Sequence, residues 1–311
     1  MLPAWAEDVG FSGTLYNYAT FEKDAIVSYH STEFVLEGTA GDWTIGTTGW
    51  VGLTGDWESG VLSLDDRPTV EFYAGSEAFG RVALFDTDNA LYDSCITPTG
   101  GTNDFGTEDL MTLGTCAGYS GAQAVTYTSP SFGDGFTLKV SAMADLTGTI
   151  ETGAVDSSLT GALGFERTVS GVDYSANIAV DAATSVKDGL PIGQALPVTV
   201  QAGSQISLDG WTFGAAAQYE ANSLAGGNSW GVGAGVAKAV TEQLTLGGEL
   251  AVDGYEDGGA AMREVSLGAT AEYYLVPDTL SIEGSINALQ RTGGGIDETV
   301  AQIGTGIVFS Y

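Results

Sequence analysis

The stretch Leu280-Ser-Ile-Glu-Gly-Ser-Ile-Asn-Ala288 sets the architecture. In an extended chain, Leu280, Ile282, Ile286 and Ala288 fall on one side and Ser281, Glu283, Ser285 and Asn287 on the other. The segment before it repeats the scheme. There Val265, Leu267, Ala269, Ala271, Tyr273 and Leu275 alternate with Glu264, Ser266, Gly268, Thr270, Glu272 and Tyr274. Trp211, Phe213, Ala215, Ala217 and Tyr219 likewise alternate with Thr212, Gly214, Ala216, Gln218 and Glu220, and Val172, Tyr174, Ala176, Ile178 and Val180 with Asp173, Ser175, Asn177, Ala179 and Asp181. Period-two alternation of this length describes strands with one oily and one wet face, and helical spacing is nearly absent.

Turn chemistry separates the strands, and the separators alternate in length. Short ones fall at Gly41-Asp42, 75–80, 129–135, 168–171, Asp209-Gly210, 240–243 and 276–278. Longer, acidic and Gly-rich connections fall near Lys23-Asp24 and at 54–68, 86–121, 147–157, 182–197, 221–229, 254–262 and 291–298. Seven short and eight long separators imply sixteen strands of about ten residues each, the length that crosses a bilayer at a tilt.

Composition narrows the class. Of 311 residues, 46 are Gly, nine are Lys or Arg and 40 are Asp or Glu, for a net charge of -31. Nine scattered basic residues make no footprint for phosphate, so nucleic acid is excluded as a partner. A 43% hydrophobic and 10% aromatic content is too apolar for a disordered chain. No window holds the run of about 18–20 apolar residues that a spanning helix needs. The A-x-A pattern Ala4-Trp5-Ala6 before Glu7-Asp8 reads as the tail of a secretory signal, leaving residues 7–311 as one domain.

A meander of sixteen strands cannot stay open with two unpaired edges, and closing it into a barrel removes them. So many strands enclose a lumen too wide for side chains to fill, so the polar face lines water and the apolar face points outward into lipid. The outward charges Lys238 and Arg167 sit beside short turns, where they cost least. Trp43, Phe136, Tyr174 and Trp211 begin strands just after short turns, as an interfacial aromatic girdle does. The expected fold is therefore an all-β, 16-stranded antiparallel transmembrane barrel.

The chain resembles the general bacterial porins, in particular the acidic porins of alphaproteobacteria. The resemblance covers essentially the whole length. It is carried by Ile303-Gly-Thr-Gly-Ile-Val-Phe-Ser-Tyr311, with Ile303, Ile307, Phe309 and Tyr311 on one face, and by Val70-Glu-Phe-Tyr-Ala-Gly-Ser-Glu-Ala-Phe-Gly-Arg-Val-Ala-Leu-Phe85. The C-terminal stretch resembles the assembly signal of outer-membrane barrels, with Phe309 and Tyr311 at its end. The run 70–85 resembles the family's hairpin before a long third loop that folds into the channel. The resemblance implies a homotrimer in the bacterial outer membrane, contacting its lipid and passing small hydrophilic solutes passively.

The longest connection, 86–121, is where that loop should lie. It carries Asp86, Asp88, Asp93, Asp104, Glu108 and Asp109 and no Lys or Arg, and carboxylates around a constriction favour cations. Family members set basic residues on the facing wall. Here the candidates are few: Lys139 and Arg81 by strand phase, with Lys23 or Arg67 from the outer loops. A strong transverse field is therefore not expected. Cys95 and Cys116, the only cysteines, both fall in this connection and read as a disulfide in an oxidising compartment. A metal pair or a thiol nucleophile would lack supporting ligands or a nearby His. Asp65-Asp66, Asp104 with Glu108-Asp109, and Asp253 with Glu256-Asp257 offer hard oxygen donors that could hold structural calcium or magnesium, but none has the spacing of a dedicated calcium loop, and no other cofactor is implied. His30 is the sole histidine, so His pairs are impossible and an enzyme is not expected. A substrate-specific outer-membrane channel and a secreted all-β adhesive or structural protein are the rival readings.

Overall fold

The computed structural model describes residues 9–22, 25–56, 61–64, 69–96, 122–144, 155–186, 195–222, 227–257, 260–277 and 279–311. In chain order the strands are β1 (Val9–Glu22), β2 (Ala25–Ala40), β3 (Trp43–Asp56), β4 (Val61–Leu64), β5 (Thr69–Ser76), β6 (Gly80–Thr87), β7 (Ala122–Thr128), β8 (Phe136–Ala144), β9 (Val155–Val169), β10 (Val172–Val186), β11 (Val198–Leu208), β12 (Trp211–Ala221), β13 (Ser229–Ala239), β14 (Leu244–Asp257), β15 (Ala260–Val276), β16 (Leu280–Gly293) and β17 (Ile296–Ser310). Both β4 and β5 pair with β3, at different heights, so they are two pieces of one wall strand and the wall has sixteen. Each wall strand runs antiparallel to its sequence neighbours, and β1 closes the sheet on β17 from Thr14↔Ser310 to Glu22↔Gln302.

The two faces fall as the alternation requires. On β16 the polar Ser281, Glu283, Ser285 and Asn287 are buried, whereas Ile282 and Ile286 are 41% and 62% exposed. On β15 Leu267 is 61% exposed while its neighbours Ser266 and Gly268 are buried. An apolar surface this continuous, wrapped around a polar interior, is a lipid-facing belt. The edge of the belt at the short turns carries touching aromatic rings: Trp43 with Phe79 at 5.5 Å, Phe79 with Tyr127 at 5.9 Å, and Phe136 with Phe165 at 5.0 Å. Lys238 lies over the Trp211 ring at 5.0 Å and donates to the Asp209 carbonyl, and Arg167 pairs with Asp134. Both outward cations thus sit at that edge, as their positions beside short turns predict.

The short turns are also as expected. Ser170-Gly171 and Asp209-Gly210 have positive φ at both residues, 53° and 81°, then 50° and 73°, which is the geometry of a two-residue hairpin whose twist matches its strands. The long connections differ. Those expected at 254–262 and 291–298 shrink to 258–259 and 294–295, because β14–β17 run 14–17 residues rather than about ten. The ladder continues past the lipid belt through pairs such as Arg291↔Glu298 and Thr292↔Asp297. There both faces meet water, so the alternation fades while the backbone pairing persists.

Candidate functional site

The interior is polar rather than an apolar core. Among the described residues the two apolar clusters of buried residues are small: Ala90, Leu91, Ala162 and Ala179, and Ala124, Met143, Val155 and Ala183 with Leu196 against them. Elsewhere the inward layer is rich in Ser, Thr, Asn, Gln, Asp and Glu, and several of its side-chain atoms, among them those of Ser158, Ser266 and Asn287, have no protein partner. Buried polar groups are costly when unmet, so such a surface calls for water or ions in the lumen.

The described start of the third loop, residues 88–96, lies against the inside of the wall. Thr126 on β7 donates to the Asp88 carbonyl at 3.0 Å, and the Ala90 amide donates to the Ser141 hydroxyl on β8 at 2.9 Å. Gln201 on β11 reaches the Leu91 carbonyl at 3.5 Å, and Asn177 on β10 donates to the Ser94 carbonyl. Gly203 on β11 makes room for Ile96, whose Cβ would stand 2.9 Å from a Cβ at that position. The segment therefore crosses the inner face from β7 to β11, as a loop folded into the bore must.

The loop acid Asp93 accepts from Lys139 Nζ at 2.7 Å, and its own carbonyl accepts from the same nitrogen at 3.0 Å, so the best basic candidate of the wall is bound to the loop. Arg81 faces inward as expected, but Glu71 holds its guanidinium and the Tyr73 ring lies 4.1 Å beneath it. The Tyr73 hydroxyl donates to Glu37 at 2.7 Å, over Gly46, where any Cβ would strike the ring. Asp88 is close enough to Glu33 of β2 for their like charges to interact. Asp86 departs from expectation: it belongs to β6 rather than to the loop, and its carboxylate accepts from the Val70 amide at 3.1 Å and Gln123 Nε2 at 2.5 Å. Its charge ties β5 to β7. Cys95 is disulfide-bonded. Asp104, Glu108, Asp109, Cys116, Lys23 and Arg67 lie outside the described residues.

Phe309 and Tyr311 stand at the closing seam. Their rings are 6.1 Å apart, and Tyr311 also meets Phe11 at 5.9 Å. His30 lies opposite Asn17 on the outward face of β1 and β2, its Nδ1 3.0 Å from Asn17 Oδ1, and so points away from the interior carboxylates. Among the described residues no group of three or more His, Cys, Asp or Glu side chains is arranged to hold a metal.

One element of the inner wall is hidden from sequence reasoning. Asp253, Glu264, Arg291 and Glu298 stand in register across β14–β17, and Arg291 Nε donates to Glu264 Oε1, a carboxylate only 3% exposed. The alternation on β15 marks Glu264 as inward, but Arg291 falls in a stretch that reads as loop.

No protein-family model and no curated relative matches the sequence. Solved structures do. Salmonella typhi OmpF in complex with daunomycin superposes with a TM-score of 0.71 at 12% identity over 97% of both chains. In-vitro folded OmpT of Vibrio cholerae, in its trimer form, gives 0.65 at 13% identity over 98% of this chain and 99% of that one. An anion-selective porin from Comamonas acidovorans gives 0.62 at 15% identity over 98% and 99%. At these identities the likeness is one of architecture, and the chain has the fold of outer-membrane porins.

Proposed function

We propose that the protein is an integral outer-membrane channel through which small hydrophilic solutes and ions diffuse passively, with a preference for cations. The fold alone carries no sign of charge, since one structure of the same architecture is named anion-selective. The observation that supports cation preference is the state of the inward basic side chains among the described residues. Arg81, Lys139 and Arg291 are each in an ion pair, with Glu71, Asp93 and Glu264. The carboxylates of Glu37, Asp173 and Asp181 are met instead by the hydroxyls of Tyr73, Thr168 and Thr160. With these three described basic groups paired, the remaining acids set the potential of the bore, which concentrates cations and repels anions.

Assembly as a homotrimer belongs to the same reading, supported by the trimer form named for the Vibrio cholerae structure. So do kinship with acidic alphaproteobacterial porins, a Cys95–Cys116 disulfide in the third loop, and calcium or magnesium at acidic outer loops. Liposome swelling tests the channel: a small amine should enter proteoliposomes faster than a neutral sugar of similar mass, and the sugar faster than the matching acid. Equal rates, or no swelling, would count against it.

A further inference from the structure

A cavity of about 460 Å³ lies at the short-turn end of the barrel wall, lined by Asp173, Ser207, Thr212, Thr245, Glu272 and Tyr274. The first five belong to one inward row that crosses β10 to β15. Asp173, Ser207 and Thr212 are in register on β10, β11 and β12, and Thr245 and Glu272 on β14 and β15. Between them β13 sets only Ala237 opposite Thr212 and Ala239 opposite Thr245, so the row is low in the middle with a carboxylate at either end. Among the described residues neither carboxylate is in an ion pair, and no Lys or Arg lines the cavity. Lys238, on the outer face of β13, is turned to the Trp211 ring and the Asp209 carbonyl. Thr168 meets Oδ1 of Asp173 at 2.6 Å, which leaves the second oxygen to a ligand. Asp173 is exposed and Glu272 half-buried, so a solute in the lumen can reach both.

We propose that this trough binds an amino-sugar oligosaccharide, a short chain of hydroxyl-bearing rings that carry protonated amines. Its volume falls in the range of about 300–1,000 Å³ that small-molecule sites occupy. Carboxylates at both ends call for a ligand with positive charge at both. Strand-to-strand steps of about 4.8 Å from β10 to β15 set those ends about 24 Å apart along the wall, and less across its curve. A metal ion or a single ammonium group cannot reach the two together. Between the ends the lining is hydroxyl: Ser207 and Thr212, with their oxygens 3.0 Å apart, and then Thr245, with Tyr274 beside it. Hydroxyls and an aromatic ring suit sugar rings, whereas a bare polyamine would set methylene groups against them. The inference rests on the reading of the barrel as a water-filled channel, through which the solute enters, and names a class of solute that the channel retains.

Titration calorimetry of the full chain in detergent micelles tests it, with the glucosamine trimer as probe at a pH where its amines are protonated. Saturable binding of one trimer per chain is expected. Glu272→Gln and Asp173→Asn should each weaken it several-fold, while Asp297→Asn, at the opposite end of the wall on β17, should leave it unchanged. The N-acetylated trimer, with the same rings and no charge, should bind far more weakly. Equal weakening by Asp297→Asn would reveal diffuse attraction to an acidic protein and overturn the site, as would full affinity in both lining variants. Spermine binding as tightly as the glucosamine trimer would overturn the sugar class. If a lining variant does not fold, a crystal of the unmodified protein soaked with the trimer decides: density joining Asp173 to Glu272 supports the site, and density elsewhere or none overturns it. A protein that binds the trimer in this way but conducts no ions would overturn the channel reading and leave the site standing.

Discussion

The ring of Tyr311 lies across Gly13, with its hydroxyl 2.6 Å from where a Cβ of that glycine would stand. The two residues also exchange backbone hydrogen bonds, Gly13 N–H to the Tyr311 carbonyl at 3.0 Å and Tyr311 N–H to the Gly13 carbonyl at 2.9 Å. This contact extends the β1–β17 pairing by one rung, so the last aromatic residue acts as the clasp of the barrel. A side chain at position 13 would also strike the Glu33 carbonyl.

Gly13→Val should therefore block closure, seen as loss of the heat-modifiable folded band in electrophoresis. Tyr311→Ala keeps the backbone rung but loses ring contacts to Phe11 and Phe309. At about 0.5–1.5 kcal/mol for each aromatic pair, its urea midpoint should fall measurably without abolishing folding. A Gly13→Val protein that folds in normal yield would contradict the clasp.

Lys139→Ala should leave Asp93 uncompensated in the bore. The pair is partly exposed, so the change in stability should be below about 1 kcal/mol. Its effect should appear instead in reversal potential under a KCl gradient, which should move further toward the potassium limit. A shift toward chloride would show that Lys139 does not offset a carboxylate in the conducting path.

Glu264→Gln should act in the opposite direction. It leaves the Arg291 guanidinium on the inner wall without its carboxylate, and chloride permeation should rise relative to potassium. Losing a charge-assisted hydrogen bond should also cost about 1–3 kcal/mol in denaturant unfolding. Unchanged selectivity would place this row outside the path of ions.

The barrel is legible in the sequence because lipid on one side and water on the other impose a period of two that residues such as Ile282 and Glu283 record directly. That phase alone places Lys139 and Arg81 inward. It cannot show their partners, since the Lys139–Asp93 pair spans 46 positions and depends on the path of a loop. Asp86 reads as loop because β6 bends at Phe85, where φ is 72° and the alternation is lost. The outer ends of β15 and β16 read as loop for a related reason: above the lipid, Arg263 and Arg291 face opposite sides of a strand pair that is wet on both.

Non-reducing peptide mapping should recover Cys95 and Cys116 in one linked peptide, as the disulfide at Cys95 and the chain's cysteine count imply. Reduction should leave the wall intact, because the ladder does not depend on it, but should increase current noise through a less constrained loop. A free thiol at Cys116 in the unreduced protein would contradict this pairing.

Cation preference is read most directly from the zero-current potential of the unmodified protein in a planar bilayer separating concentrated from dilute KCl. A polar bore whose described inward basic groups, Arg81, Lys139 and Arg291, are held in ion pairs predicts stable open currents and a potential positive on the dilute side, set by potassium. A potential of the opposite sign, or a folded protein that conducts no ions, would contradict it.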